Sequence, residues 1–355
     1  MTEKNFIVPA SEFNTQIAGS VNAKSPSNIA LVKYWGKTSP QIPTNPSISY
    51  TLTQSFTETQ LNFAPKKAEF SNISVRLNGE EQPNFVPKIQ QFFDRIHAYA
   101  PYLQDFDFEI ITSNSFPHSS GIASSASGMS ALAKCLLLLE EKMLFFVENP
   151  LQRASFMARL GSGSACRSLY PGLVAWGKSS FLPQSSDLFA VPVDTKIHPI
   201  FTQFEDTILL IHEGSKSVSS TVGHQLMNGH PYAAKRFDEA KQNIGKLLEI
   251  LQNGDLESFG NLCEHEALSL HAVMLMSKPP YILMMPNTIA VINKIWEFRK
   301  ETNLPLFFTL DAGANIHLLY PTNEKEKIRD YIEKELLTYC QNGKAIYDFV
   351  NFENL

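Results

Sequence analysis

The sequence contains few cysteines, no long apolar run and no surplus of positive charge. Its four cysteines lie far apart, with neither a Cys-x-x-Cys pair nor the Cys and His spacing of zinc sites, which favours reduced thiols in a cytoplasmic protein. The longest apolar runs are far shorter than the roughly 20 residues that cross a bilayer, and the N-terminus lacks the pattern of a signal peptide. We therefore expect no membrane contact.

Acidic residues are missing from three stretches, although the chain as a whole is acidic. The net charge is -5 at pH 7, which argues against a nucleic-acid partner because such a protein needs a basic surface. Residues 13–57, 110–139 and 149–186 nevertheless contain no Asp or Glu and carry eight Lys and Arg. A cluster of cations without acids is what a site for an anionic small molecule requires.

The length and composition indicate a folded protein with a large core. Hydrophobic residues make up 43% of the chain, and its 25 Phe are too many for a surface. At about 150 residues per domain the chain is long enough for about two domains, and a change of composition near residues 191–199 divides it into 1–196 and 197–355. The first part alternates strand-like runs with turns and the second part is more helical, which together predict an α+β fold. The predicted helices span 86–98, 127–140, 233–252, 288–300 and 324–337, and the predicted strands span 29–34, 47–52, 106–112, 206–212, 304–310, 315–320 and 345–350.

The segment GIASSASG, at residues 121–128, leads directly into the apolar helix predicted over 127–140. Small residues and free backbone N–H groups at a helix N-terminus suit a phosphate, and Ser124, Ser125 and Ser127 add hydroxyl donors. A flexible loop that ends in a serine N-cap would share this pattern. Because no acid lies nearby, phosphate binding is the favoured interpretation.

A second segment rich in glycine and serine, GSGSACRS at residues 161–168, also suits an anion. The hydroxyls of Ser162 and Ser164 could donate to a phosphate, and Arg167 could form two parallel hydrogen bonds to a carboxylate or phosphate. A surface turn with an exposed arginine is the alternative. Cys166 is interpreted as a small buried thiol rather than a nucleophile, because no histidine lies near it in the sequence.

Two charged residues at strand ends could carry proton chemistry. Lys33 begins the motif KYWGK at residues 33–37 and is either a surface-strand lysine or a lysine that reaches into a site. Asp311 begins the turn DAGAN at residues 311–315, which is either a hairpin connection or the position of a catalytic carboxylate. Beside a lysine, such a carboxylate could take a proton from a hydroxyl, an effect of about 10² to 10⁴ in rate. A hydroxyl-rich segment at residues 216–221 could bind phosphate or cap a helix.

Together these segments resemble the diphosphomevalonate decarboxylases of the GHMP small-molecule kinase superfamily. The similarity is carried by segments that occur in the family's order over most of the chain: residues 28–37, 116–117 with 120–128, 158–170, 218–221 and 311–315. The motifs KYWGK and GSGSACR are the most specific. The sequence departs from the family at residues 38–40, where Thr-Ser-Pro replaces the usual Arg-Asp, and at Ala314, where proline is common.

The resemblance implies a two-domain GHMP-kinase-like fold. An N-terminal domain like the second domain of ribosomal protein S5 and a ferredoxin-like C-terminal domain would enclose the active site in the cleft between them. By position, Asp311 would be the general base or the carboxylate that orients the hydroxyl, Lys33 its charged partner, and Arg167 the residue that holds the substrate carboxylate. The ATP phosphates would contact Gly121, Ala123, Ser124, Ser125, Ser127 and Gly128, and the substrate would contact Tyr34, Lys37, Ser162, Ser164, Arg167, Ser219 and Ser220.

The implied reaction is the ATP-dependent decarboxylation of mevalonate 5-diphosphate to isopentenyl diphosphate, with release of ADP, phosphate and CO₂. ATP and Mg²⁺ are the implied cofactors, a homodimer is the implied assembly, and the pattern assigns no Mg²⁺ ligand. Phosphorylation would turn the C3 hydroxyl into a good leaving group, and loss of CO₂ would remove the positive charge that develops at C3. The alternatives are a phosphomevalonate decarboxylase, a kinase of the same superfamily that acts on a mevalonate derivative, and a non-catalytic nucleotide-binding protein.

Overall fold

The computed structural model describes residues 1–38, 40–69, 71–117, 124–214 and 217–352. Within these residues, the first half of the chain forms a mixed seven-stranded sheet and a small separate hairpin. The strands are β1 (Gly19–Val32), β2 (Lys37–Thr38), β3 (Ile42–Pro43), β4 (Ser47–Pro65), β5 (Ile73–Leu77), β6 (Glu80–Glu81), β7 (Phe106–Asn114), β8 (Leu173–Trp176) and β9 (Val191–Pro192). The sheet has the order β6-β5-β7-β4-β8-β9, β1 pairs with the opposite edge of β4, and β2 pairs with β3.

The two longest strands, β1 and β4, pair antiparallel along nearly the whole length of β1, which among the described strands pairs with β4 alone. The first residues of β1 are mostly exposed, whereas residues 25–32 are all buried because both faces of the strand are covered there. Shifts of register between Pro26 and Asn28, and again between Ala30 and Val32, alter the course of β1 near its end. The strand therefore delivers residue 33 to the interior of the protein rather than to its surface.

Helices α1 (Val86–Ile96) and α2 (Ser124–Lys142) pack on this sheet, and α3 (Pro150–Gly161) packs against both helices. Helix α2 is buried over most of its surface, which confirms the central apolar helix predicted from residue 127 onwards. Helix α3 was not predicted. It buries Arg153 and Arg159 among apolar residues, so its sequence lacks the clean polar and apolar faces of a surface helix.

The second half of the chain forms a four-stranded antiparallel sheet with the order β11-β12-β10-β13. The predicted helices and strands of this half are confirmed to within a few residues, except that the helix predicted over 324–337 is α-helical only at Lys325–Tyr331 and continues as a π-helix at Ile332–Leu336. Helices and strands mix in both halves, as an α+β fold requires. Helix α6 was not among the predicted elements, because it is buried on several sides and lacks a simple amphipathic period. The elements are β10 (Phe204–Leu209), α4 (Ser220–Gln225), α5 (Ala233–Asn253), α6 (Leu256–Leu275), α7 (Pro286–Thr302), β11 (Phe307–Thr309), β12 (Ile316–Pro321), α8 (Lys325–Tyr331) and β13 (Ala345–Phe349).

The two halves share an apolar core and a buried polar contact. Ile29 of β1 lies in the same buried cluster as Phe204 of β10 and Phe259 of α6. The carboxylate of Asp348, in β13, accepts hydrogen bonds of 2.7 to 2.9 Å from three consecutive backbone N–H groups of β4, at residues 53–55. These contacts join the halves near the end of β1. Among the described helices, none combines the length and the hydrophobicity that spanning a bilayer would require.

Candidate active site

A cavity of about 500 Å³ lies between the two halves of the molecule. Its walls come from the end of β1, the first turn of α2, the 3₁₀-helix Gly163–Leu169, the N-terminus of α4 and the turn between β11 and β12. Folding therefore brings together the segments that the sequence patterns single out. The predicted site residues that line the cavity are Lys33, Tyr34, Lys37, Ser124, Ser125, Gly128, Ser162, Ser164, Arg167, Ser219, Ser220 and Asp311.

Lys33 and Asp311 form an ion pair across the cavity. Lys33 Nζ lies 3.1 Å from Asp311 Oδ1 and donates another hydrogen bond to the Ala30 carbonyl oxygen at 2.6 Å. The lysine side chain is 2% exposed and the aspartate side chain 30%. The surface-strand interpretation of Lys33 is therefore wrong, and the Asp311 carboxylate remains accessible from the cavity.

Arg167 is buried in the cavity wall between neutral partners. Its Nη1 donates to Ser47 Oγ at 2.6 Å, and its Nε and Nη2 donate to Asn28 Oδ1 at 3.3 and 3.2 Å. Burial lowers the pKa of Arg167, while the neighbouring Cys166 and Asp311 raise it. The interpretation as an exposed arginine in a surface turn is wrong, because the residue is only 3% exposed. A buried guanidinium whose hydrogen-bond partners are neutral suits an anionic ligand.

The chain turns sharply after β1, so that Lys37 enters the same cavity. Gly36 has a φ of 100°, and a Cβ at this position would lie 2.6 Å from the nearest side-chain atom, so a larger residue would not fit. Lys37 Nζ donates to Gln41 Oε1 at 2.8 Å. Burial, with repulsion from Arg95 and Lys88, lowers the pKa of Lys37 to about 8. A bound anion would relieve this repulsion.

His224, on α4, lines the cavity but was not identified from the sequence. Its Nδ1 accepts a hydrogen bond from the Gly36 backbone N–H at 2.9 Å, so Nε2 carries the proton of the neutral ring. Burial, and to a smaller extent Lys37, lowers the pKa of His224 to about 3. The imidazole packs against the rings of Tyr34 and Trp35, with centroids 4.5 and 4.4 Å away. His224 therefore orders the KYWGK segment, and only the fold reveals this role, because the two segments are distant in sequence.

The first turn of α2 presents some of its small residues to the cavity and hides others. Ser124, Ser125 and Gly128 line the cavity. Ser127 is fully buried, and its hydroxyl shares a hydrogen bond of 2.7 Å with Thr57 Oγ1 on β4. Because each helical residue is rotated by about 100° from the one before, Ser127 faces the sheet instead of the cavity. Two further predicted nucleotide contacts, Gly121 and Ala123, lie outside the described residues.

Other hydroxyl groups surround the cationic part of the cavity. Ser219 accepts a hydrogen bond from the Val222 backbone N–H at 3.3 Å and so caps α4, as the alternative interpretation of its segment predicted, while it also lines the cavity. The hydroxyl of Tyr34 is buried and has no hydrogen-bond partner among the described residues. Cys166 is buried, and this burial raises the pKa of its thiol to about 12, which confirms the interpretation as a structural thiol.

One part of the cavity wall is apolar. The residues that form it come from β5, the 3₁₀ turn Pro83–Phe85, α1, β7 and α2 and look like ordinary core positions in the sequence: Val75, Leu77, Phe85, Ile89, Ile110 and Leu132. Such a wall has room for a flat or apolar group beside the hydroxyls at the start of α2. The cavity thus combines an apolar part with a part rich in cations and hydroxyls.

Acidic groups are scarce at the cavity. Asp311 is the one carboxylate among the described residues that line it. In the described parts of the chain, no cluster of three or more His, Cys, Asp or Glu side chains could hold a metal ion. In nucleotide sites, Mg²⁺ is held by one or two protein groups together with phosphate oxygens and water. The donors present therefore fit a Mg²⁺ ion that enters with a phosphate ligand.

Comparisons with known proteins agree with the geometry of the site. Two protein-family models match the chain. The family model for the diphosphomevalonate decarboxylase-like N-terminal domain matches residues 25–189, and the family model for the mevalonate 5-diphosphate decarboxylase C-terminal domain matches residues 207–352. The diphosphomevalonate decarboxylase of Saccharomyces cerevisiae is 32% identical over 338 residues, which cover 89% of this chain and 81% of the yeast protein. The diphosphomevalonate decarboxylase of Candida albicans is 30% identical over 328 residues, which cover 89% of this chain and 88% of that protein.

Solved structures match nearly the whole chain. Mevalonate diphosphate decarboxylase from Staphylococcus aureus aligns with a TM-score of 0.80 at 30% identity, covering 94% of this chain and 96% of that one. MDDEF in complex with MVAPP, AMPPCP and magnesium aligns with a TM-score of 0.81 at 27% identity, covering 94% of this chain and 98% of that one. The expected two-domain GHMP-kinase-like fold is confirmed by these alignments. The chain belongs to the diphosphomevalonate decarboxylase family.

Proposed function

We propose that this protein catalyses the ATP-dependent decarboxylation of mevalonate 5-diphosphate to isopentenyl diphosphate, with release of ADP, phosphate and CO₂. One observation carries this proposal: the Lys33–Asp311 ion pair and the buried Arg167 line the same cavity. Curated relatives that align with most of the chain bear the name diphosphomevalonate decarboxylase, and a structural neighbour was solved with MVAPP, AMPPCP and magnesium. The two polyanionic ligands of this reaction match the cationic lining.

We assign Asp311 as the base that accepts the proton of the substrate's C3 hydroxyl. As that proton moves to the carboxylate, the C3 oxygen attacks the γ-phosphorus of ATP, and the bond from the γ-phosphorus to the bridging oxygen of ADP breaks. Lys33 Nζ, 3.1 Å from Asp311 Oδ1, orients the carboxylate and supplies positive charge near the transferring group. The exposure of Asp311 to the cavity supports this role, since a base must reach its proton.

Arg167 is assigned to the substrate carboxylate. When phosphate leaves C3, the electron pair of the C1–C2 bond forms the new C2–C3 double bond, and the carboxylate departs as CO₂. Because the carboxylate loses its charge in this step, Arg167 helps by orienting the group rather than by binding it more tightly in the transition state. Its bonds to Asn28 and Ser47 hold the guanidinium in place without neutralising it.

The nucleotide is assigned to the start of α2 and the apolar wall. The hydroxyls of Ser124 and Ser125, with Gly128, suit the ATP phosphates, and the apolar side chains beyond them suit the adenine base. Gly121 and Ala123 remain predicted contacts outside the described residues. Mg²⁺ bound to the phosphates would neutralise their charge during transfer, and the hydroxyls of Ser124 and Ser125 would supply oxygen ligands to it.

The diphosphate of the substrate is assigned to the cationic end of the cavity, with Tyr34, Lys37, Ser162, Ser164, Ser219 and Ser220 as its contacts. The unpartnered Tyr34 hydroxyl and the mutual repulsion around Lys37 support this assignment, because a diphosphate would satisfy both. We further propose a cytoplasmic location, supported by four cysteines that are all free, and a homodimer, which size-exclusion chromatography with light scattering would test.

An assay of product ratios tests the proposed function. Purified protein is incubated with MgATP and with either mevalonate 5-diphosphate or mevalonate 5-phosphate, and ADP, phosphate and CO₂ are measured. We expect the three products in equal amounts, with the diphosphate as the better substrate. ADP without CO₂ would indicate a kinase, a preference for the monophosphate would indicate a phosphomevalonate decarboxylase, and ATP binding without turnover would indicate a non-catalytic protein.

A further inference from the structure

Helix α6 contacts the backbone of both residues in the Lys33–Asp311 pair. The carboxylate of Glu266 accepts a hydrogen bond from the Lys33 backbone N–H at 2.8 Å, and His271 Nε2 lies 3.0 Å from the Asp311 carbonyl oxygen. We propose that Glu266 and His271 are positioning residues that fix the distance between Lys33 Nζ and Asp311 Oδ1 for the reaction. This inference depends on the proposed function, because the pair must act on a substrate for its spacing to matter.

Glu266 is fully buried and is held by groups on α5 as well as by Lys33. Arg236 donates to its two oxygens at 2.5 and 3.3 Å, and Asn243 Nδ2 donates at 2.6 Å. Arg236 Nη2 also donates to the Lys33 carbonyl oxygen at 3.5 Å. A carboxylate held by several hydrogen bonds in a buried site has little freedom to move, so it fixes the backbone on both sides of Lys33.

His271 makes the corresponding contact on the other side of the pair. The Asp311 carbonyl oxygen can only accept a hydrogen bond, so Nε2 of His271 must carry a proton and donate. The same oxygen accepts a hydrogen bond from the Gly313 backbone N–H at 2.8 Å, which closes the turn. His271 is 2% exposed, so the packing around it holds the ring in place. It therefore fixes the turn that presents Asp311.

The contacts from α6 matter because Lys33 and Asp311 come from different halves of the chain. Lys33 ends a strand of the first half, and Asp311 lies in a turn of the second half, so their separation depends on how the halves pack. Glu266 and His271 lie five residues apart on one helix, and a single rigid element thus sets both positions. A misplacement of about 1 Å can lower the rate of a positioned reaction about 100-fold.

Glu264 provides a matched control on the same helix. It is also buried, it pairs with Arg299 Nη1 at 2.6 Å, and it accepts a hydrogen bond from Trp296 Nε1 at 2.8 Å. Both partners lie on α7 and neither lines the cavity. Glu264 and Glu266 lie on nearly opposite sides of α6, because two helical positions correspond to a rotation of about 200°. A change at Glu264 therefore disturbs a buried ion pair without touching the Lys33–Asp311 pair.

The test compares four variants of the full-length protein. His271→Phe keeps a ring but removes the donor, His271→Gln keeps a donor, Glu266→Gln weakens the hold on Lys33, and Glu264→Gln is the control. For each, kcat and KM are measured by CO₂ release, the Kd of ATP by calorimetry, and Tm by thermal unfolding. We expect His271→Phe and Glu266→Gln to lower kcat about 10- to 100-fold, with KM and Kd within about threefold of wild type.

The rescue variant His271→Gln and the control variant Glu264→Gln distinguish a positioning role from a general effect on protein stability. We expect His271→Gln to restore kcat to within about threefold of wild type, and Glu264→Gln to lower Tm while kcat stays within about twofold. The inference is overturned if His271→Phe retains wild-type kcat, if the Gln variant is as slow as the Phe variant, or if Glu264→Gln slows turnover as much as Glu266→Gln does. Should Glu266→Gln fail to fold, the two His271 variants decide.

Failure of the proposed function gives a different result. A wild-type protein that releases no CO₂ from mevalonate diphosphate overturns the proposed function. The positioning inference is then judged from crystal structures of wild type and His271→Phe, in which Lys33 Nζ and Asp311 Oδ1 should lie farther apart in the variant. An unchanged distance overturns the positioning role.

Discussion

The two walls of the cavity differ in their chemistry. The wall from the first half of the chain contributes Lys33, Lys37, Lys88 and Arg167 and, among the described lining residues, no acid. The wall from the second half contributes Asp311 together with the hydroxyls of Ser219 and Ser220. The comparison indicates a division of labour, in which one half neutralises anionic ligands and the other supplies the group that accepts a proton.

This difference follows from the distribution of acids along the chain. The stretches without Asp or Glu, residues 13–57, 110–139 and 149–186, supply three of the four described cations that line the cavity, and Lys88 is the fourth. No carboxylate from these stretches therefore competes with a ligand for the cations. Asp311 enters from outside those stretches and pairs with Lys33. Ligand binding and proton transfer should therefore respond separately to substitution.

The largest expected effect is that of Asp311→Asn. If the second half supplies the base, removal of its charge should lower kcat by about 10² to 10⁴. The KM of ATP should stay within about threefold of the wild-type value, because the nucleotide contacts lie on the other wall. Steady-state CO₂ release measures both. Turnover near the wild-type rate would remove Asp311 from the reaction.

Arg167→Gln tests the cationic wall and should have the next largest effect. Loss of the guanidinium leaves the substrate carboxylate unoriented, so kcat/KM for mevalonate diphosphate should fall about 100-fold. Arg167→Lys should restore little, because a lysine cannot form the two parallel hydrogen bonds. The matched control is Arg76→Gln, which removes an exposed arginine of β5 and should leave kcat/KM unchanged. Equal effects of the two glutamine variants would contradict the assignment.

The protonation state of Lys37 should make binding of the substrate depend on pH. A lysine binds an anion in its protonated form, which predominates below its pKa, and burial with nearby Arg95 and Lys88 lowers that pKa to about 8. The KM of mevalonate diphosphate should therefore stay constant below that pH and rise above it, levelling off at about ten times its value at pH 7 once Lys37 is uncharged. In Lys37→Met the KM should be raised about tenfold near pH 7 and should lose this dependence. A wild-type KM that does not change between pH 7 and 9.5 would contradict the role of Lys37.

The smallest expected effects come from two serines of α2. Ser124→Ala should raise the KM of ATP about fivefold, because Ser124 lines the cavity and would lose a hydrogen bond to phosphate. Ser127→Ala should leave the KM of ATP unchanged and lower the free energy of unfolding by about 1 kcal/mol, because its hydroxyl bonds Thr57 in the interior. Kinetics and denaturant unfolding distinguish the two. Reversed results would mean that α2 presents a different face to the nucleotide.

Local patterns predicted much of this site, but the interior contacts required the fold. Glycine- and serine-rich segments and strand-end charges identified the cavity wall, because phosphate sites need small residues, donors and cations in short stretches. The inward orientation of Ser127 depends on how α2 rotates against β4, which its serine-rich sequence does not specify. His224, Glu266 and His271 act through backbone atoms of distant segments, and such contacts leave no spacing signal. The domain boundary at residues 196 and 197 stays a prediction.

Calorimetric titration of mevalonate diphosphate into two variants, Asp311→Asn and Lys37→Met, tests the division of labour most directly. At pH 7, the substrate should bind Asp311→Asn within about threefold of its wild-type Kd and should bind Lys37→Met about tenfold more weakly. Weaker binding to Asp311→Asn than to Lys37→Met would contradict the account, because the carboxylate wall would then carry the binding that we assign to the cationic wall.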